Sequence, residues 1–335
     1  MKRLTAVLAL CLFLTAFPVK TQAAGMEIKA KSGVLMDINT GTLLYEQDAH
    51  TKLAPASVTK VMTMLLIMEA IDEGRIGWND TVIASEAAAA KGGSQVYLKV
   101  GESMTVEEMV KSVAVSSAND CACALAEHIA GSEAAFVDKM NQRAAELGMQ
   151  DTHFVNCTGL DDDENAKEHL TCAYDIALMS RELMKNHPDI QKYTTIWMDT
   201  VRNGQFGLAN TNKLIRFYPG ATGLKTGFTS QAGYCLSATA QRDGLGLIAV
   251  VMGCETSQDR FAACKQLLDY GFANYALVSP EITEGTVPVK LGAAEQVKVG
   301  EQVVRQVPLV AEEAVPRLTW WELFLRVLRR IAMAE

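Results

Sequence analysis

Between residues 28 and 274 the sequence opens and closes with strand-like segments and carries a long helical stretch between them. Its sheet must therefore be assembled from segments far apart in the chain. At the start, residues 28–37 and 42–47 read as short strands joined by Asn39-Thr40-Gly41, a turn-forming cluster, and predict a β-hairpin. At the end, residues 233–242 and 246–254 read as strands joined by Asp243-Gly244, a strong hairpin turn, and residues 258–274 as a closing helix. In between, residues 57–73 predict a helix whose apolar positions, among them Val58, Val61, Met62, Leu65 and Met68, suit burial on most sides. Residues 106–116, 121–130, 132–147 and 173–185 continue as helices with Gly- and Asp-rich breaks, a helical insert in the sheet-bearing part.

Composition agrees with a packed core. Of 335 residues, 49% are hydrophobic and 21% charged, and at about 150 residues per domain the length allows two or three domains. The formal charge of −8 and the lack of a basic run interleaved with aromatics exclude a nucleic-acid partner. Lys2 and Arg3 precede an apolar run over residues 4–17 and small residues near Ala23-Ala24, which reads as a secretory signal peptide over residues 1–24. That run is shorter than the roughly 20 apolar residues that span a bilayer.

Export permits disulfides, yet Cys121, Cys123, Cys157, Cys172, Cys235, Cys254 and Cys264 are odd in number, so at least one is unpaired within the chain. Cys121-x-Cys123 with His128 lacks the usual gap and the second ligand pair of a zinc site, and these cysteines read as small buried side chains.

The C-terminal part has two further pieces. Residues 277–315 shift to Val, Glu, Gly and Pro and read as a small β appendage. Residues 316–335 contain an amphipathic helix: Thr319, Glu322, Arg326, Arg329 and Arg330 fall within one arc of about 100°, and Trp320, Trp321 and Phe324 lie among the apolar remainder. Such a helix suits a membrane interface, and three arginines within residues 318–332 argue against spanning.

The chemistry lies in three short motifs. Ser57-Val58-Thr59-Lys60 sets a hydroxyl and an amine three positions apart at a helix start, on one face and within hydrogen-bond reach. A serine needs a base at neutral pH, and a lysine in a partly desolvated, positively charged site can be neutral enough to serve. The helix N-terminus directs amides at an oxyanion formed there. Ser117-Ala118-Asn119 follows, itself a plausible plain helix cap, and then Lys225-Thr226-Gly227, ahead of the strand at Gly233. Gly220 to Thr226 is not a phosphate-binding loop, because Leu224 separates glycine from lysine and a strand follows.

In this order S-x-x-K, S-x-N and K-T-G resemble the signatures of the penicillin-recognising serine D,D-peptidases and β-lactamases. The flanking residues, Leu53-Ala54-Pro55-Ala56 before Ser57, Gly223-Leu224 before Lys225, Phe228-Thr229 after Gly227 and Leu267-Leu268-Asp269-Tyr270-Gly271-Phe272, are similar to the low-molecular-mass D-alanyl-D-alanine carboxypeptidases, from about residue 27 to 275. The resemblance implies an α+β fold of D,D-peptidase type, an antiparallel sheet flanked by helices plus an all-helical lobe, over residues 25–276.

It also implies roles. Ser57 would be the acylated nucleophile, Lys60 its general base, and Ser117 the relay of a proton to the leaving D-alanine. Asn119 would bond the substrate peptide, Lys225 supply positive charge, Thr226 and Arg260 bind the terminal carboxylate, and Gly227 let the substrate lie against the strand. Backbone N–H groups of Ser57 and Phe228 would form the oxyanion hole, and Asp175 would orient the loop carrying Asn156-x-Thr158-Gly159-Leu160. The implied substrate is the peptidoglycan pentapeptide stem, with β-lactam antibiotics as covalent inhibitors, at the outer face of the cytoplasmic membrane. No metal or organic cofactor is expected, since serine, lysine and oxyanion donors suffice for acyl transfer.

A class A β-lactamase would need a glutamate in an E-x-x-L-N-like loop, and none stands between Ser117 and Lys225. A D,D-endopeptidase keeps the same motifs, a non-catalytic cell-wall binding protein would not need all of them, and a glutaminase would lack the signal peptide.

Overall fold

The computed structural model describes residues 26–161, 164–277 and 314–316. The signal peptide expected over 1–24, nearly all of the appendage expected over 277–315 and nearly all of the segment 316–335, expected to be helical, lie outside the described residues.

Five strands form one antiparallel sheet: β1 (Ser32–Asp37), β2 (Leu43–Gln47), β3 (Ala221–Thr229), β4 (Gly233–Arg242) and β5 (Leu245–Cys254), in the order β2-β1-β5-β4-β3. Two of its three hairpins, β1–β2 and β4–β5, are those the sequence predicts, β3–β4 being the third, and Asp243 and Gly244 both have positive φ, 49° and 82°, as a two-residue primed turn demands. β1 pairs with β5, Ser32 opposite Met252, and so closes the sheet across nearly the whole domain.

Each strand of this pair feeds two cores. Val34, Met36, Ile248, Val250 and Met252 point to one face and Leu35, Leu247, Ala249 and Val251 to the other, the alternation of a pleated strand buried on both sides. The outer face is covered by the closing helix Ser257–Asn274, through Leu267 and Leu268. The inner face is covered by α1 (Lys60–Asp72), buried almost all round, and by the helix Ala173–Asn186. Val106–Ser116, Asn119–Ala130 and Glu133–Glu146 pack beyond α1 as the helical lobe, so one core runs from the sheet into the lobe.

Two segments depart from the sequence reading. Among the described residues, the stretch that the sequence predicts as mainly helical also holds a short ladder, Thr81–Ile83 with Ser103–Thr105, and, between Leu147 and Ala173, irregular segments with a 3-10 turn, Glu164–Glu168. Strand structure also returns before Gly233, because Lys225-Thr226-Gly227 lies inside β3. Gly223 and Gly227 interrupt the apolar alternation there, and an edge strand needs less of it. Tyr275–Leu277 and Ala314–Pro316 pair antiparallel. Among the described residues no helix is long and apolar enough to cross a membrane.

Candidate active site

Ser57 sits in a 3-10 turn, Ala56–Thr59, that runs directly into α1. Side chains at i and i+3 eclipse in a 3-10 turn, which aligns Ser57 with Lys60 more closely than the α-helix expected from the sequence. Lys60 Nζ donates to Ser57 Oγ at 3.0 Å and to the carbonyl of Thr158 at 2.7 Å. Lys60 is wholly buried, and burial lowers its pKa to about 7, against the opposing pull of Cys157 and Asp120. An amine bonded to one carbonyl and poised near neutrality keeps a lone pair to take the Ser57 proton.

The carbonyl that orients Lys60 is placed by the loop. Asn156 Oδ1 accepts from Thr158 N at 3.1 Å and Gly159 N at 2.6 Å, and Thr63 Oγ1 donates to Cys157 O at 2.6 Å. Gly159, at φ +80°, lets the loop pass against the turn: a Cβ there would lie 1.8 Å from Ala56 O. Asp175 anchors the near end of the loop by accepting from Asp151 N at 2.9 Å and Thr152 Oγ1 at 2.7 Å, and burial raises its pKa.

Ser117 is not a helix cap of the ordinary kind. It ends Val106–Ser116 in the left-handed region, φ 65°, and Ala118 and Asn119 turn the chain into the next helix with no side-chain cap. Asn119 Nδ2 donates to Gly92 O at 2.7 Å. Among the described residues four buried side-chain polar atoms have no hydrogen-bond partner, and three of them are Ser117 Oγ, Asn119 Oδ1 and Arg260 Nε. Buried polar atoms are nearly always paired, so unpaired atoms on two residues of Ser117-Ala118-Asn119, and on Arg260, are groups of the kind a ligand satisfies.

β3 brings the third motif to the turn. A Cβ on Gly227 would lie 2.6 Å from Pro55 O and 3.1 Å from Val58 N. Arg260 Nη1 donates to Gly227 O at 2.9 Å, its guanidinium set against the rings of Tyr234 and Phe261, and Phe228 stacks on Tyr234 at 4.2 Å while remaining exposed. Lys225 is buried, and burial together with Lys60 and Arg260 holds its pKa well below the usual lysine range. Thr226 Oγ1 donates to Thr211 Oγ1 at 2.7 Å, and Thr211 N donates to Val115 O at 3.1 Å, which joins the edge strand to the helix that ends at Ser117. Nothing in the sequence pointed to Thr211; its place depends on the register of a distant loop.

The seven cysteines of the described residues are buried free thiols, Cys121 and Cys123 among them. Among the described residues the metal-type donors that converge are elsewhere: donor atoms of His50, Asp151 and Cys172 lie within 4.8 Å of one another, with His50 and Lys52 paired to Asp151.

A sequence model of the peptidase S11 family, described as D-alanyl-D-alanine carboxypeptidase, matches residues 18–256. The chain belongs to this family. Over 305 residues it is 44% identical to the D-alanyl-D-alanine carboxypeptidase DacF of Bacillus subtilis, an alignment covering 87% of this chain and 77% of the relative. Two solved structures of this kind are similar. Penicillin binding protein 6B from Escherichia coli has a TM-score of 0.72 at 34% identity, covering 81% of this chain and 86% of that one. Penicillin-binding protein D2 from Listeria monocytogenes, in its ampicillin-bound form, has a TM-score of 0.67 at 32% identity, covering 74% of this chain and 99% of that one. The low-molecular-mass penicillin-binding fold thus accounts for the two-core sheet, the helical lobe and the order of the motifs.

Proposed function

We propose that the chain removes the terminal D-alanine from peptidoglycan pentapeptide stems through an acyl-enzyme on Ser57. The observation that carries this is the buried Lys60 amine, 3.0 Å from Ser57 Oγ and held by Thr158 O. Ser57 Oγ attacks the carbonyl of the penultimate D-alanine as its proton passes to Lys60. Backbone N–H groups of Ser57 and Phe228 hold the oxyanion. The C–N bond breaks as Ser117 gives its proton to the leaving amine and takes in exchange the one held by Lys60, and water then hydrolyses the ester and restores Ser57. Asn119 binds the peptide backbone, Gly227 lets it lie along β3, and Arg260 and Thr226 supply the positive and hydroxyl groups that recognise a chain-end carboxylate, whose own charge would favour the protonated form of Lys225 beside it. Asp175 acts only by anchoring the loop.

Release of free D-alanine from a diacyl-L-Lys-D-Ala-D-Ala peptide tests the proposal; labelling of Ser57 by penicillin without any release would replace it with the endopeptidase reading.

The base role of Lys60 fixes a pH profile. Only neutral Lys60 accepts the serine proton, so acylation should rise about tenfold per pH unit below pH 7 and level off above it, following a pKa of about 7. Stability moves with the same group. Its folded pKa lies below the unfolded one, so the folded chain binds fewer protons between about 7 and 10.5 and gains stability as pH rises through that window. An acylation rate flat from pH 5 to 8 would remove Lys60 from the base role.

Export by residues 1–24 and attachment to the outer face of the membrane by the 316–335 helix complete the proposal, supported by the charge and aromatic pattern of that segment. Deleting residues 317–335 should free the protein from membranes and leave hydrolysis of a soluble peptide intact. A truncated protein that still sediments with membranes would sink the anchor.

A further inference from the structure

His169 belongs to none of the three motifs, yet it is 3% exposed and lies against the nucleophile turn. Val155 N–H donates to its Nδ1 at 3.1 Å, so Nδ1 is an acceptor and the ring proton is on Nε2. Nε2 is 2.8 Å from Thr59 Oγ1, and Thr59 Oγ1 is 2.8 Å from Ala56 O. Each bond then has one direction: Val155 N–H to Nδ1, Nε2–H to Thr59 Oγ1, Thr59 O–H to Ala56 O. Ala56 holds φ 49°, a costly value for a residue with a Cβ, directly before Ser57. The chain of bonds therefore begins in the loop that carries Thr158 and ends on the strained residue that presents the nucleophile.

We propose that His169 is a positioning residue for acylation: as a neutral Nε2–H imidazole it fastens the Thr158 loop to the Ala56–Thr59 turn and keeps Lys60 between Thr158 O and Ser57. This rests on the acyl-enzyme reading above. Burial, with His153 and Lys60 nearby, lowers the pKa of His169 to about 4, so the neutral form it needs prevails wherever Lys60 is neutral. The titratable and charged groups that face Lys60 are Lys225, Asp120, Cys157 and His169, and those that face His169 are His153 and Lys60.

The test is the pH profile of penicillin acylation by the full chain and its H169F, H169Q and T59V variants, with thermal melting alongside. H169F keeps a ring of similar size and loses both nitrogens. It should acylate at least about fiftyfold more slowly, with its rising limb moved up by about one pH unit as water enters beside Lys60. H169Q, whose amide can reach the place of Nε2 and donate to Thr59, should stay within about fivefold of the parent. T59V cuts the same chain at its middle and should reproduce the H169F slowing and limb shift, and the double variant H169F/T59V should be no slower than either. Parental rate and limb in a folded H169F, or in T59V should H169F not fold, would overturn the inference. A parent protein that neither releases D-alanine nor takes the label at Ser57 would instead defeat the reading on which it rests.

Discussion

Replacing Ser57 with alanine is expected to abolish release of free D-alanine, by about 10⁴-fold or more, and to abolish covalent labelling by penicillin. The two losses have one cause, since the bond that forms in either reaction is to Ser57 Oγ. No other hydroxyl is placed to substitute. Ser117 Oγ has no hydrogen-bond partner, and Thr59 is bonded to Ala56 O and His169. Ser57→Ala should melt as the parent does, because Lys60 keeps its bond to Thr158 O. In the parent the label should persist, since no glutamate of the β-lactamase pattern is present to activate a deacylating water. Rapid turnover of a chromogenic cephalosporin by the parent would contradict slow release of the label, and residual release of D-alanine by Ser57→Ala above about 1% of the parent rate would contradict the acyl-enzyme at this position.

Gly159→Ala is expected to cost about 2–4 kcal/mol, from overpacking and from a Cβ at a left-handed backbone position. The methyl group would meet Ala56 O at 1.8 Å and Thr59 Oγ1 at 2.7 Å, and the first of these is backbone that cannot swing aside. Relief has to come from the loop moving off the turn, which carries Thr158 O away from Lys60. Acylation should accordingly fall by about 10² in the fraction that remains folded. Gly74→Ala is the fitting control, because Gly74 also has positive φ, 70°, and meets nothing within 4 Å. Equal melting points for the two variants would show that the contact with Ala56 is not tight.

The Ser57–Lys60 pair was legible because its spacing lies within one turn of a helix start, where local geometry decides contact. Likewise α1 was legible, since apolar residues around its whole circumference leave only an interior position. The edge strand β3 was not, because glycines at 223 and 227 serve close approach to Thr194 and Val58 rather than the alternation that signals a strand. Thr158 stands in the Asn156-x-Thr158-Gly159-Leu160 pattern, but the group that acts is its carbonyl, which every residue has. His169 and Thr211 could not be found from spacing at all: both act through loops whose register is fixed only when the sheet and lobe are in contact. Ser117 read as a possible cap, and its left-handed φ with an unpaired hydroxyl is what separates it from one.

The pairing of β1 with β5 has a consequence for how the protein is made. Ser32 finds its partner Met252 only after almost the entire domain has been synthesised, and the loop to be closed is among the longest the chain allows. Contacts of such separation slow folding. Until they form, β5, buried along both faces in the finished sheet, lacks its β1 partner, and the sheet-facing side of α1 stays open. A chain of this design spends its vulnerable period late, with a nearly complete sequence and an open sheet. Delivery in an unfolded state, followed by a single closure once the last strand has emerged, is the order of events to which this topology is suited.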